Sequence, residues 1–485
     1  MKRMLRTRRS ALALVVIAAA AAFAMLTAAS SSHATVASHA VRPAISGGGK
    51  PDVSGPQHMN PGSVTFGCQS RPLDGSLGAR CYQPAQIQNA YGYSGLLASG
   101  VNGTGKTIVI VDAFSNPFIP TDLSIQDNTF GLPAANYSTL AQPNPVPAFD
   151  PSDGNMVGWA EEITLDVLWA HAMAPGAKIV LAEAASNNDS DILATTKYVV
   201  DHHIGDVISQ SFGEAEQCMD SQLLKQQNKV FEKAAKEGYT VFASSGDSGA
   251  SQFNCDGTAP IIAASTPASD PNVTGVGGTT LDANTSTGAY IGETAWTEPF
   301  GCNPPDDDDV NCSGGGFSTV YPRPPYQAPA IKGGPHGNGG PPGPPRRGVP
   351  DVAYNAGVAG GVLTHCGVCN LIFGIDPTDP TIFFIFGGTS AGSPQWAALA
   401  ADADQMAHHD IGGINDNLYK LAADHGRASH GKLFLHDITT GNNDVADLGG
   451  AGFDAGPGWD AVTGLGTPNA ADLLPALVKP GPPGP

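Results

Sequence analysis

The chain has 485 residues, 44 of them acidic against 24 basic, for a formal net charge of −20 with 41% apolar residues. So large an acidic excess works against a nucleic-acid partner. After the amino-terminal segment no apolar run approaches the roughly 18 residues that a membrane span requires.

Taken in chain order, the opening MKRMLRTRRS is basic, an alanine-rich apolar run follows to about Ala29, and the small-residue stretch SSSHA ends at Ala34. This is the pattern of a secretory signal peptide over residues 1–34, with small residues at Ser32 and Ala34 favouring cleavage there. Arg8 and Arg9 leave a twin-arginine route open. Cleavage would remove five basic residues and no acid, leaving 19 − 44 = −25. Such a surface loses charge as the medium turns acidic, although simple solubility accounts for it as well. The expected product is a secreted, extracellular monomer with no membrane attachment.

Residues 35–66 are rich in Gly, Ser, Pro and Ala and read as a linker or disordered arm; the whole of 35–80 is expected to be linker or a reduced pro-segment. Eight cysteines fall as close neighbours, Cys68 and Cys81, Cys218 and Cys255, Cys302 and Cys312, Cys366 and Cys369. In an exported chain they are expected to pair in that order. The spacing of CGVC would also suit a redox or zinc site, but no second such pair accompanies it.

From Cys81 the pattern is that of one large α/β unit, expected over 81–475. TIVIVDAF (107–114), AKIVLAEA (177–184), GDVISQSFG (205–213) and YTVFASSGD (239–247) are apolar, β-branched runs of the kind buried in parallel sheets. Helical patterns over 161–173 and 221–237 lie between them, so a mostly parallel sheet with helices on both faces is expected. PPDDDDV (304–310) and GGPHGNGGPPGPPRR (333–347) read as exposed loops, and 476–485 as a disordered tail.

Three stretches carry chemistry. A serine hydroxyl needs a base and an oxyanion donor before it is a useful nucleophile. In GGTSAGSPQWAALAADADQMA (387–407), Ser390 precedes a helix-forming run with Pro394 in its opening turn, where a missing N–H costs nothing. A helix start favours negative charge, although a simple helix cap has the same appearance. In GWAEEITLDVLWAHAMAPGAKIVLAEA (158–184), Glu162 and Asp166 stand four apart, on one helical face. Two like charges there repel unless they share a proton, and an ordinary surface pair is the plainer alternative. In SSGDSGAS (244–251), Asp247 follows a strand. An aspartate donates a hydrogen bond only when protonated, near or below about pH 3.9 unless its site raises that value.

GTSAGSP resembles the nucleophile signature of subtilisin-like and sedolisin-like peptidases. The His-Gly-Thr motif of the subtilisin base is missing, and of 13 histidines only His171 lies near a comparable helix. The Glu162 and Asp166 helix, the Ser-Ser-Gly-Asp run, and the further stretches YQPAQIQNAYG, SQSFG (209–213), PASDPNVTGVGGTT, SGGGFS and RGVPDVA are similar to the sedolisins, the serine-carboxyl peptidases. The resemblance spans about 81–475. It implies a single catalytic domain of subtilisin-like fold, with Ser390 as nucleophile, Glu162 as base, Asp166 orienting Glu162, Asp247 as oxyanion donor, and SQSFG as a substrate-aligning strand. HDITTGNN (436–443) and PGWDAVTGLGTP (457–468) resemble the family's calcium site. One structural ion would be held by the carboxylates of Asp437 and Asp460 with the carbonyls of Ile438, Gly456 and Gly458, a hard-oxygen set suited to calcium.

The activity implied is acid-acting cleavage inside protein or peptide substrates, with tripeptide release or a non-catalytic binding protein as alternatives. The chymotrypsin-like reading of GDSG (246–249) fails at Ala250, where a further Gly is expected. The aspartic-peptidase reading lacks a second triplet. Two departures stand out: residues 35–80 are too short for the long prodomain usual in the family, and Asp112 ends a strand where subtilisins carry their catalytic Asp. A structural role is favoured for Asp112, with membership of the carboxylate network as the alternative.

Overall fold

Strands that are apolar on both faces must be covered on both. The computed structural model describes residues 42–43, 54–74, 76–297, 311–331, 344–425, 428–429 and 432–478. Six parallel-paired strands form its centre: β1 (Thr107–Ala113), β2 (Asn136–Leu140), β3 (Lys178–Ala184), β4 (Val207–Gln210), β5 (Thr240–Ser244) and β6 (Thr274–Ala283). Their spatial order is β2-β3-β1-β4-β5-β6. Beyond them, β7 (Tyr290–Ala295) pairs antiparallel and β8 (Val352–Asn355) parallel with β6.

The pleat sorts the side chains between two layers of helix. Ile108 and Ile110 of β1 face a core shared with α2 (Gly154–Met173) and α5 (Gly392–Ala407), and α1 (Ile119–Phe130) packs into the same core. Val109 and Val111, the alternate residues, face α3 (Asp189–Asp201) and α4 (Ser221–Lys236). Polar β2, NYSTL, gives no apolar signal and sits half-exposed at the sheet edge.

Helix α2 begins seven residues before its apolar pattern does. Asp153 caps it, its carboxylate accepting from the N–H groups of Asn155 and Met156 at 2.9 and 3.3 Å. From Trp159 to Met173 every residue is buried, so the whole circumference of the helix is inside the protein.

Part of the stretch that composition reads as an arm is packed onto the domain. Gln57–His58 pairs with Ile382–Phe383, and Phe66 meets Phe383 edge-on at 5.1 Å. Three of the expected disulfides are formed, Cys68–Cys81, Cys218–Cys255 and Cys366–Cys369. Cys302 of the fourth lies outside the described residues, as do 304–310, 332–343 and the tail from 479. Among the described residues no helix is long and apolar enough to cross a membrane.

The end of the expected 333–347 loop is corrected by the structure. Arg346–Val349 is a strand, and Arg347 is fully buried. Its guanidinium clasps Asp351 through Nη1 at 2.9 Å and Nη2 at 2.5 Å. Asp351 also accepts from Tyr419 Oη at 2.9 Å and from the Gly275 N–H at 2.8 Å. A planar fork can pair both terminal nitrogens with one carboxylate in a dry site, which is why a residue with the composition of a loop goes inside. Arg347→Ala would leave Asp351 buried without its cation and should cost about 3–5 kcal/mol, read as a lowered denaturant midpoint at unchanged m.

Candidate active site

Glu162 and Asp166 lie one turn apart on α2, and Asp112 is the penultimate residue of β1; all three are fully buried. Burial is the main reason their protons are held. It pushes Asp112 and Glu162 well above the carboxylate range, and the charge of Asp166 pushes both further. Asp166 is pushed up to about 8 by burial, against the opposing effect of the nearby Ser211 hydroxyl and Glu162 carboxyl. Three carboxyl groups in one dry volume cannot all ionise together. Asp112 is fully buried within electrostatic reach of Asp166 and Glu162.

Ser390 lies in the single turn Thr389–Ala391 that leads into α5, and it is buried. The preceding glycines are required by geometry. Gly388 has φ of +90°, and a Cβ on Gly387 would meet the Ala356 carbonyl oxygen at 2.5 Å. The Ser390 hydroxyl lies close enough to Glu162 to lower its proton affinity. By distance and angle, however, the Ser390 Oγ and the oxygens of Glu162, Asp166 and Asp112 do not close full hydrogen bonds. We take the arrangement as close approach, of the kind that tightens when substrate binds.

Asp247 follows β5 and is held from the serine side. The Thr389 N–H and Thr389 hydroxyl donate to its Oδ1 at 2.8 and 2.6 Å. The Gly246 N–H in turn donates to Thr389 Oγ1 at 3.2 Å. Asp247 also adds to the negative field on Glu162, so the four candidate residues form one cluster.

Other residues in the site were not singled out from sequence. The Ser211 hydroxyl lies close enough to Asp166 to lower its proton affinity and reaches the Ser390 carbonyl at 3.5 Å. Asn116 braces α2 beside Glu162, its Nδ2 donating to the Ala160 carbonyl at 2.7 Å and to Thr164 Oγ1 at 2.8 Å. Thr389 and Ser211 lie within the GTSAGSP and SQSFG runs, but Asn116 has no sequence signal. His171, the one histidine near this helix, faces away toward Asp127 at 3.1 Å and the Pro133 carbonyl at 3.0 Å.

The two carboxy-terminal runs also meet. The Gly458 N–H donates to Asp437 Oδ2 at 3.3 Å, and the Gly456 N–H to Asp460 Oδ2 at 3.1 Å. Asp460 is 1% exposed. Among the described residues no group of three or more His, Cys, Asp or Glu side chains could hold a metal. A cation here would thus be held by two carboxylates with backbone oxygens.

A parallel sheet between two helical layers, a serine at the start of the central helix and a buried carboxyl helix facing it define a subtilisin-like peptidase with carboxyl groups where a histidine would stand. No protein-family model matches the chain. It is 32% identical over 437 residues to kumamolisin of Bacillus sp. (strain MN-32), covering 86% of this chain and 70% of that protein. Its fold matches the structure of Pseudomonas sedolisin, a serine-carboxyl proteinase complexed with two molecules of pseudo-iodotyrostatin. That match has a TM-score of 0.67 and 26% identity over 82% of this chain and 98% of that one. The chain is also 32% identical over 284 residues to tripeptidyl-peptidase 1 of Bos taurus, covering 56% of this chain but only 43% of that protein. The chain belongs to the sedolisin family and is a serine-carboxyl peptidase, a hydrolase.

Proposed function

We propose that the protein is a secreted endopeptidase that cleaves proteins and peptides in acid. The observation that carries this reading is the buried carboxyl cluster facing Ser390, whose members hold protons well above the ordinary carboxylate range. A pair sharing one proton bears a single charge. In that state Glu162 is the base and Asp166, still protonated, donates to it and orients it.

Glu162 takes the Ser390 hydroxyl proton as Oγ bonds to the scissile carbonyl carbon, whose oxygen becomes negative. Asp247 supplies the oxyanion donor. Its Oδ1 accepts two bonds from Thr389, so the proton of its acid form belongs on Oδ2. Glu162 then returns the proton to the leaving amine as the C–N bond breaks, and water repeats the sequence on the acyl-enzyme. Incubating the purified protein with denatured protein substrate from pH 3 to 8 tests the reading. Internal fragments in acid are expected. Tripeptides alone would favour the exopeptidase alternative, and no cleavage at any pH would favour a binding protein.

Asp247→Asn keeps a donor on the same atom position without needing a proton. It is expected to lose less than the about 10²–10³-fold of a deleted oxyanion donor and to extend activity toward neutral pH. A complete loss at every pH would count against the donor role.

We further infer one structural calcium ion at Asp437, Ile438, Gly456, Gly458 and Asp460. The fit rests on an all-oxygen donor set and on Asp460, a carboxylate brought inside beside the glycine turn. Calcium at 100 times its dissociation constant should add about 2.7 kcal/mol of stability. A chelator should therefore lower Tm, and added calcium but not magnesium should restore it. An unchanged Tm would remove the site.

A further inference from the structure

Three neighbouring strands end around a cavity of about 260 Å³ whose lining includes none of the four catalytic candidates. Glu183 and Thr139, each one residue before the end of β3 and β2, line it together with Tyr137. Asn116 and Pro117 enter from the connection between β1 and α1. In α/β sheets the crevice beyond the carboxyl ends of the strands is where ligands settle. A volume below the about 300–1,000 Å³ of sites for drug-sized ligands fits a single side chain.

The walls are of two kinds. Pro117, Pro120, Phe149 and the Tyr137 ring offer apolar faces. Against them stand two polar groups. Glu183 is 8% exposed, and burial alone raises its carboxyl, to about 7, with no cation opposing the rise. The Tyr137 hydroxyl is shielded from solvent and makes no hydrogen bond. Burial first, and then the charge of Glu183, push its proton affinity up.

An ionised carboxyl in such a place needs a cation, and a shielded hydroxyl needs a partner. A guanidinium or ammonium on an apolar stem answers both. It donates to the carboxylate and the hydroxyl together, its stem lies along the prolines, and its charge is drawn to the aromatic faces. A neutral apolar ligand would leave both polar groups unmet, and Glu183 would repel an anion. Pro117, Pro120 and Thr139 are exposed at the rim, so a chain can cross the mouth with one side chain inside. We propose that this cavity binds one basic side chain, arginine or lysine, of a polypeptide ligand.

The cation pairs with the ionised form of Glu183, so affinity should fall as pH drops through about 7, by about tenfold for each unit below it. Tyr137 stays protonated over that range. Asp112, the in-register neighbour of Glu183 on β1, keeps its proton through burial and the charge of Asp166. No other charged group registers on Glu183.

The test is titration calorimetry on the chain carrying Ser390→Ala, so that no peptide is cut. At pH 7.5, n-propylguanidinium and the capped tripeptide acetyl-Ala-Arg-Ala-amide should both bind, and uncharged n-pentanol at least about tenfold more weakly. Both cations should bind about tenfold more weakly at pH 6. Glu183→Gln should cost at least about tenfold in affinity at pH 7.5 and remove the pH dependence, while Tyr137→Phe should cost about threefold. Should Glu183→Gln fail to fold, the pH dependence and the n-pentanol comparison in its parent decide. No binding of either cation up to about 10 mM, or equal affinity with and without the Glu183 carboxyl, overturns the proposal. Binding of n-propylguanidinium without the tripeptide overturns it too, and assigns the cavity to small free amines. Nothing is cleaved in these measurements, so their failure leaves the peptidase reading standing, and failure of that reading leaves these affinities unchanged.

Discussion

Ser390→Ala is expected to lower kcat/KM on the order of 10⁴-fold or more, and Glu162→Gln to do nearly the same, with no loss of Tm in either. The activity loss follows from the division of labour. Without the hydroxyl there is no acyl-enzyme, and glutamine cannot take the hydroxyl's proton. The Tm result follows from burial. Neither the Ser390 Oγ nor the Glu162 oxygens close full hydrogen bonds in the resting site, so truncating or neutralising them gives up little. Glutamine moreover matches the uncharged carboxyl that burial and Asp166 both favour, so Tm at pH 7 should be equal or higher. The double variant should be no worse than Ser390→Ala alone, because groups that act as a unit are not additive. Glu162→Gln retaining activity within tenfold would show that another group takes the proton.

The central strands were readable because β-branched residues on both faces leave few places for a segment other than the middle of a covered sheet. The four candidate residues were singled out because their short runs resemble those of the sedolisins; taken alone, Ser390 reads equally as a helix cap and Glu162 with Asp166 as an ordinary surface pair. What escaped was set by tertiary contact. Polar β2 is held by its place at the edge of the sheet, and Arg347 is drawn inside by Asp351, four residues away but across a turn. Asn116 acts through a loop that sequence periodicity does not describe. The electrostatic reach between Asp112, at the end of β1, and Glu162 and Asp166 on α2 is likewise set by tertiary structure.

Stability is expected to be highest near pH 4 and to fall steadily toward pH 8, the reverse of ordinary acid denaturation. Burial raises Asp166 to about 8 and Glu161, the neighbour of the base, also to about 8. Asp404 and Glu214 are raised in the same direction, to about 7 and about 9. In each case the folded pKa lies above that of the unfolded chain, near 4. Below that value both states hold the proton and the contribution is complete. Between about pH 4 and the folded pKa the native state binds more protons than the unfolded one, so unfolding free energy declines as pH rises. One such group contributes up to about 1.4 kcal/mol per pH unit. Even a part of that, summed over Asp166 and Glu161, is large against the about 5–15 kcal/mol that holds a typical domain together. Glu161 allows a clean check, because its carboxyl is raised by burial alone and its Oε2 has no hydrogen-bond partner. Glu161→Gln should raise Tm at pH 7 and leave it unchanged at pH 4, flattening the profile without altering kcat at the acid optimum. A Tm that rises from pH 4 to pH 7 in the unmodified protein would show that these carboxyl groups are ionised in the native state, and the shared-proton account of the active site would fail with it.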